Sequence, residues 1–225
     1  MKNIFTILFL IVVFNSFSQN NGLESGTGGL GNMITGKSIR VNFDANKKLI
    51  GSEYLEEKFK LAKIILISKK TTEVKARYNA YAQEFEIQLD NKVLALNPNI
   101  IQCIEIENES FEPIKDENSN LLFAKTLVNG DKINLFKKFE AVIKEGKIVP
   151  GIQTSEPEDK IIINESYLIN NSKSENYIVI KLRKKQILKA VNNDKATIKF
   201  IKENKLSYKN EEDVIRVFTF YNTLK

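Results

Sequence analysis

Along most of this chain apolar and polar residues alternate with the period of a strand, and only near the C-terminus does the spacing open to that of a helix. The β pattern begins at Ile39. Residues 61–68 are an apolar run of strand length, and between Glu73 and Tyr81 the residues Val74, Ala76 and Tyr78 alternate with Lys75 and Arg77. Phe85, Ile87 and Leu89 alternate with Glu84, Glu86 and Gln88, which predicts a half-buried strand. Asp90-Asn91 suits a tight turn into a strand over 93–96. Asn97-Pro98-Asn99 breaks that run, and Ile100, Gln102, Ile104 and Ile106 resume along one face.

In the second half, residues 121–128 and 132–139 flank Asn129-Gly130, the pair a type I′ hairpin turn prefers. Residues 145–160 hold two prolines, two glycines and four acids and predict a long loop. Strands are expected over 161–163 and 167–169, and Asn170-Asn171-Ser172-Lys173 turns the chain into another over 177–182. Helices follow over 184–191 and 194–204. The last helix opens at Asn210, with Glu211, Glu212 and Asp213 in the first turn, where the helix dipole favours acids. Val214, Val217, Phe218, Tyr221 and Leu224 make its apolar face. The expected fold is α+β: an antiparallel β-rich body, a meander or small barrel, with short helices at the C-terminus. Residues 39–117 form a β-rich subdomain, and 118–225 form hairpins followed by helices, either as a separate unit or as one domain with 39–117.

The N-terminus has a different pattern. Lys2 precedes an apolar run over 4–14 broken only by Thr6, and Asn15-Ser16-Phe17-Ser18 leads to Gln19 with small residues where a cleavage site needs them. Residues 1–18 therefore read as a secretory signal peptide, too short in its apolar run for a membrane span of about 20 residues. The expectation is an exported protein, periplasmic or extracellular, with no transmembrane segment after cleavage. Residues 19–38 read as a flexible leader rich in Gly, Ser and Asn. Gly26-Thr27-Gly28-Gly29-Leu30-Gly31 matches the dinucleotide pattern, and residues 31–38 (GNMITGKS) match the P-loop pattern. Neither joins a strand to a helix, as phosphate binding requires, so no cofactor is assigned.

Composition removes whole classes of chemistry. The chain has no His, which excludes Ser-His-Asp and Cys-His machinery and the commonest zinc ligand. The single cysteine, Cys103, allows no internal disulfide and reads as a small apolar residue inside a strand. No G-x-S-x-G or S-x-x-K motif occurs. Three acidic groups stand out: Glu105, Glu107 and Glu109; Glu156, Glu158 and Asp159; Glu211, Glu212 and Asp213. Glycoside hydrolysis needs two carboxylates about 5–10 Å apart across a cleft. Alternation instead puts Glu105 and Glu107 on one solvent face, and the third group lies at a helix start, so no catalytic or metal residue is assigned. Charge is uneven: residues 20–117 carry 13 Lys and Arg against 15 acids, and 118–225 carry 20 against 13. Lys181, Arg183, Lys184, Lys185 and Lys189 concentrate the excess.

Four features resemble a family of uncharacterised exported proteins from Bacteroidetes-type bacteria. They are Gly51-Ser52-x-Tyr54-Leu55-x-Glu57 with Arg77-Tyr78-Asn79-x-Tyr81; Phe123-x-x-x-Leu127-x-x-Gly130; the run from Lys202-x-x-Lys205-Leu206 to Tyr221-Asn222; and the signal ending in Ser-Phe-Ser-Gln. The resemblance implies export and carries over no catalytic or binding residue. The functional expectation is a non-enzymatic cell-envelope or secreted module that binds or builds. Its alternatives are a His-independent hydrolase using carboxylates or a Ser/Lys pair, and a binder of anionic polymer through residues 181–189. An envelope protein or an anionic polymer is the partner considered, and nucleic acid is not expected.

Overall fold

The computed structural model describes residues 49–89, 92–116, 119–146, 158–171 and 176–224. The signal peptide, the leader with its two glycine patterns, the Asp90-Asn91 turn, Glu156 and most of the 145–160 loop lie outside these residues. In chain order the elements are β1 (Leu49–Ile50), β2 (Lys60–Leu66), β3 (Thr71–Asn79), β4 (Glu84–Leu89), β5 (Lys92–Ala95), β6 (Ile101–Ile106) and β7 (Glu109–Lys115). There follow β8 (Leu121–Val128), β9 (Asn134–Lys144), β10 (Asp159–Asn170), β11 (Ile178–Ile180), and the helices α1 (Lys184–Ala190), α2 (Lys195–Glu203) and α3 (Glu211–Thr223).

All eleven strands belong to one sheet in the order β1-β10-β9-β8-β7-β6-β2-β3-β4-β5, with β11 also on β10. Two antiparallel meanders, β2 to β5 and β6 to β10, join where β6 returns to pair with β2. The one parallel contact is β1 on β10. The sheet runs unbroken across position 117, because β7 pairs with β8 from Phe111↔Lys125 to Lys115↔Leu121. The expected strands over 161–163 and 167–169 are one continuous strand, β10, held along its length by β9.

The sheet is open, which corrects the small-barrel alternative. It ends at the four-residue β5 on one side and at β10 on the other, and β10's outer edge is taken by β1 and β11 instead of β5. It still curls. The Ala141 N–H donates to the Ala80 carbonyl at 2.9 Å, bringing β9 under the end of β3. Inside the curl Tyr78, Phe85, Phe111, Phe123 and Phe139 pack edge-to-face or stacked, at centroid distances from 5.1 to 6.5 Å. The Tyr78 hydroxyl is satisfied there by the Phe123 carbonyl at 3.0 Å.

A second apolar cluster lies under the helices. Ile187 and Val191 (at the C-terminal end of α1), Ile201 and Val214, Val217 and Phe218 meet Val128, Leu135, Ile169 and Ile180 of the sheet and Ile133 of the loop between β8 and β9. Two of the three described helices start at a capping side chain: Asp194 caps α2 by accepting from Thr197 N–H, and Asn210 caps α3 by accepting from Asp213 N–H. No described helix is long and apolar enough to cross a membrane. A third, smaller cluster occupies the other sheet face around Leu122, Phe136 and Leu168, with the Tyr177 ring edge-on to Phe136.

Asn129-Gly130 does not form the expected type I′ turn. The connection covers 129–133, and Gly130 lies outside the left-handed region the turn requires. Gly130 is needed for room instead, since a Cβ there would collide with the Asn222 side chain. Asn222, at the end of α3, accepts from Lys132 and Ile133 N–H at 3.0 Å each and donates to the Ile133 carbonyl at 2.9 Å. Asn222→Ala should cost about 1–3 kcal/mol by leaving these backbone groups unpaired. Gly130→Ala should cost a similar amount by expelling the same side chain. Urea unfolding checks both, and unchanged midpoints would show that the loop is held in some other way.

Candidate functional site

A cleft of about 510 Å³ opens where β11, α1, the 129–133 loop and the end of α3 meet. Its floor is apolar: Ile133, Ile169 and Ile180 are buried and belong to the cluster beneath the helices. Ile178 and Val179 form one wall and are 60% and 53% exposed. The rim is polar, with Lys132, Lys189, Gln186, Asn192 and Tyr221.

Local sequence explains why these groups converge. Gln186, at the third position of α1, turns back and accepts from the Lys181 N–H, covering for Arg183, which makes no side-chain cap. That bond ties the start of α1 back to the end of β11. At the other end of α1, Asn192 and Asn193 both adopt φ of 53°, a conformation asparagine tolerates better than most residues. Asn192 there donates its side-chain amide to the Tyr221 hydroxyl at 3.0 Å. Lys132 lies 5.1 Å from the Tyr221 ring centroid. Neither Lys132 nor Lys189 has an ion pair with a described residue. Two ammonium groups thus stand at the mouth of an apolar-floored opening, an arrangement suited to a ligand with an anionic group and an apolar body.

A second constellation joins α3 to the sheet. Lys137 Nζ sits 2.8 Å from Glu165 and 2.9 Å from Glu211, with the Phe139 and Tyr167 rings beside it. The Tyr167 hydroxyl donates to the same Glu211 oxygen at 2.6 Å. Burial pushes the Tyr167 phenol up to about 12, and the bond to Glu211 adds to the shift. Burial also works against the Glu211 charge, but the bonds from Tyr167 and Lys137 outweigh it and hold that carboxyl below the ordinary range. For Lys137, burial would lower the pKa, and the two glutamates overcome it and raise it.

The sign of the resulting pH dependence is fixed by these directions. The Glu211 contribution is present above the ordinary carboxylate value and is lost as pH falls through the lower folded value. The Tyr167 and Lys137 contributions are present below their ordinary values near 10 and 10.5 and are lost as pH rises beyond them. In urea unfolding, stability should therefore fall on acidification from about pH 5 to pH 3, and Glu211→Gln should flatten part of that limb. An acid limb identical in the two proteins would mean that Glu211 does not tie the helix to the sheet.

A third constellation is closed to ligands. Arg77 binds Glu86 through Nε at 2.9 Å and Nη2 at 2.7 Å, and also bonds the Tyr54 hydroxyl and the Glu57 carbonyl. Asn79 donates its side-chain amide to the other Glu86 oxygen at 3.1 Å. The Tyr54 and Phe59 rings cover the guanidinium at 3.6 and 4.4 Å. Burial, with the Glu86 charge, pushes the Tyr54 phenol up to about 12. This cluster fastens the segment after β1 to β3 and β4.

The three acidic groups seen in the sequence stay apart from one another, although Glu105, Glu107 and Glu109 line one shallow opening of about 410 Å³ together with Glu73. Glu105, Glu107 and Glu109 each meet a lysine, Lys63 at 3.1 Å, Lys60 at 2.7 Å and Lys125 at 2.5 Å. Asp159 accepts from Gly146 N–H, and Asp213 accepts from Ser207 N–H. Glu211 does more than begin a helix, since it is the acid of the Lys137 constellation. Among the described residues no three His, Cys, Asp or Glu gather as metal ligands. Cys103 lies in β6 opposite Ile65, half-buried on the side it shares with Glu105, and burial pushes its thiol up. Of the basic segment, Lys189 lines the cleft, while Lys181, Arg183, Lys184 and Lys185 are exposed where the chain passes from β11 into α1. Lys132, Asn192 and Tyr221 were invisible in the sequence as a group, because they come from three separate segments.

No protein-family model, curated protein or solved structure matches this chain.

Proposed function

We propose that this protein is an exported binding module whose ligand enters the cleft between β11, α1 and the 129–133 loop. The observation that carries the reading is the pair of ammonium groups that make no ion pair with a described residue, Lys132 and Lys189, over the floor of Ile133, Ile169 and Ile180. An apolar floor rewards burial of a hydrocarbon body, and cations at a partly desolvated rim select an anionic group. The reading favours binding over catalysis because the described lining has one acid, Asp131, and no nucleophile beside a base. Export is part of the proposal and rests on the pattern of residues 1–18.

Anilinonaphthalene sulfonate, an aromatic body carrying an anion, is a direct probe. Its fluorescence should rise on saturable binding to the folded protein. The double variant Lys132→Glu/Lys189→Glu should weaken that binding by about tenfold or more, a change of at least 1.4 kcal/mol. Both lysines are at the rim, so thermal unfolding should move little. Dye binding of equal strength in wild type and variant would refute the cleft as the ligand site.

A further inference from the structure

β11 pairs with β10 through Tyr167↔Ile180, Leu168↔Val179 and Ile169↔Ile178, and no described strand pairs with its other side. Proteins usually blunt such an edge with lysine, proline or a bulge. β11 has the sequence Ile-Val-Ile. Alternation turns Ile178 and Ile180 toward the apolar floor and Val179 toward the other face, beside Leu168, while the strand as a whole walls the cleft. Both faces of the unpaired edge are therefore aliphatic, and Ile178 and Val179 are more than half exposed. The surroundings are cationic. Lys181, Arg183, Lys184 and Lys185 follow the strand directly, Lys132 and Lys189 flank the cleft, and none of the six has an ion pair with a described residue.

We propose that the free edge of β11 takes an extended, acidic segment of a partner protein as an added strand. This rests on the reading of the cleft as the ligand site and names the ligand. In strand addition the backbone ladder supplies affinity, and alternate side chains supply choice. Here the partner's aliphatic side chains rest on Ile178 on one face of the strand and on Val179 on the other, and its flanking carboxylates meet Lys132 and Lys189. A second copy of this chain fits poorly, because pairing β11 with itself about a two-fold axis would bring two copies of the same basic cluster together. A polyanion would engage the lysines but leave the aliphatic edge without a role.

The probe is a blocked, fluorescein-labelled peptide with a central Val-Ile-Val-Ile block, aliphatic on both faces, flanked on each side by glutamates, followed by anisotropy. Saturable binding is expected, weakened about tenfold or more by Ile178→Asp and by Lys132→Glu/Lys189→Glu. Two N-methylated forms of the peptide separate strand addition from side-chain docking. Methylation along one edge should abolish binding, methylation along the other should preserve it, and amide exchange at residues 178–180 should slow with the parent peptide. The proposal is overturned if both methylated peptides bind like the parent. It is also overturned if heparin binds wild type and Ile178→Asp equally while the peptide binds neither, or if sedimentation shows a dimer that Ile178→Asp dissolves. If the peptide fails while the naphthalene dye still binds, the cleft remains the ligand site and only the strand-addition proposal falls.

Discussion

Phe218→Ala should destabilise the protein by about 3–5 kcal/mol, the usual cost of removing a fully enclosed phenylalanine ring. Phe218 has no exposed surface, and Val214 and Val217 beside it on α3 are as deeply buried. All three contribute to the cluster that joins the helices to Val128, Leu135 and Ile169. In a chain of this size the loss corresponds to a melting temperature lower by roughly 6–20 °C. Removal of residues 208–225 should go further and abolish cooperative melting of the helical region, followed through its far-UV signal. If the truncated protein melts like the full chain, α3 is a docking element and not part of the fold.

Arg77→Met should cost about 3 kcal/mol, because it leaves the Glu86 carboxylate nearly buried without its cation. The double replacement Arg77→Met/Glu86→Leu should cost less than Arg77→Met alone. The two charges exist in the fold largely to satisfy each other, and their joint desolvation is relieved when both go. Urea denaturation of the single and double variants tests the ordering. A double variant less stable than either single would show that the pair contributes more than mutual compensation, for instance by placing Tyr54.

The same two sites show which parts of the molecule could be read from sequence. The α3 face was legible because Val214, Val217 and Phe218 recur at helical spacing and Asn210 with three acids marks the start. The β2 to β4 strands were legible from alternation alone. The Arg77 cluster was not, since its members are spread from Tyr54 to Glu86 and only the curl of β3 and β4 under the preceding segment joins them. The 129–133 loop misled for a physical reason: Asn-Gly is favoured in a tight turn by local conformation, but here Gly130 makes room for Asn222, which comes from the far end of the chain. Openness of the sheet was likewise beyond local pattern, because alternation is the same in an open sheet and a closed one.

The parallel contact of β1 with β10 has a consequence for the order in which the molecule comes together. Leu49 aligns with Asp159, and the chain then leaves at Gly51, where φ is +104° and a Cβ would stand 2.8 Å from the Ile161 carbonyl. The first of the described strands has no place to bind until more than a hundred further residues have been made. Contacts of such separation raise the entropic cost of the folding transition state and slow folding. During synthesis the β2 to β5 meander can form early from neighbouring segments, while residues 49–51 wait for β10. Refolding should accordingly show late protection of the Leu49 and Ile50 amides, after those of β3 and β4 have stopped exchanging.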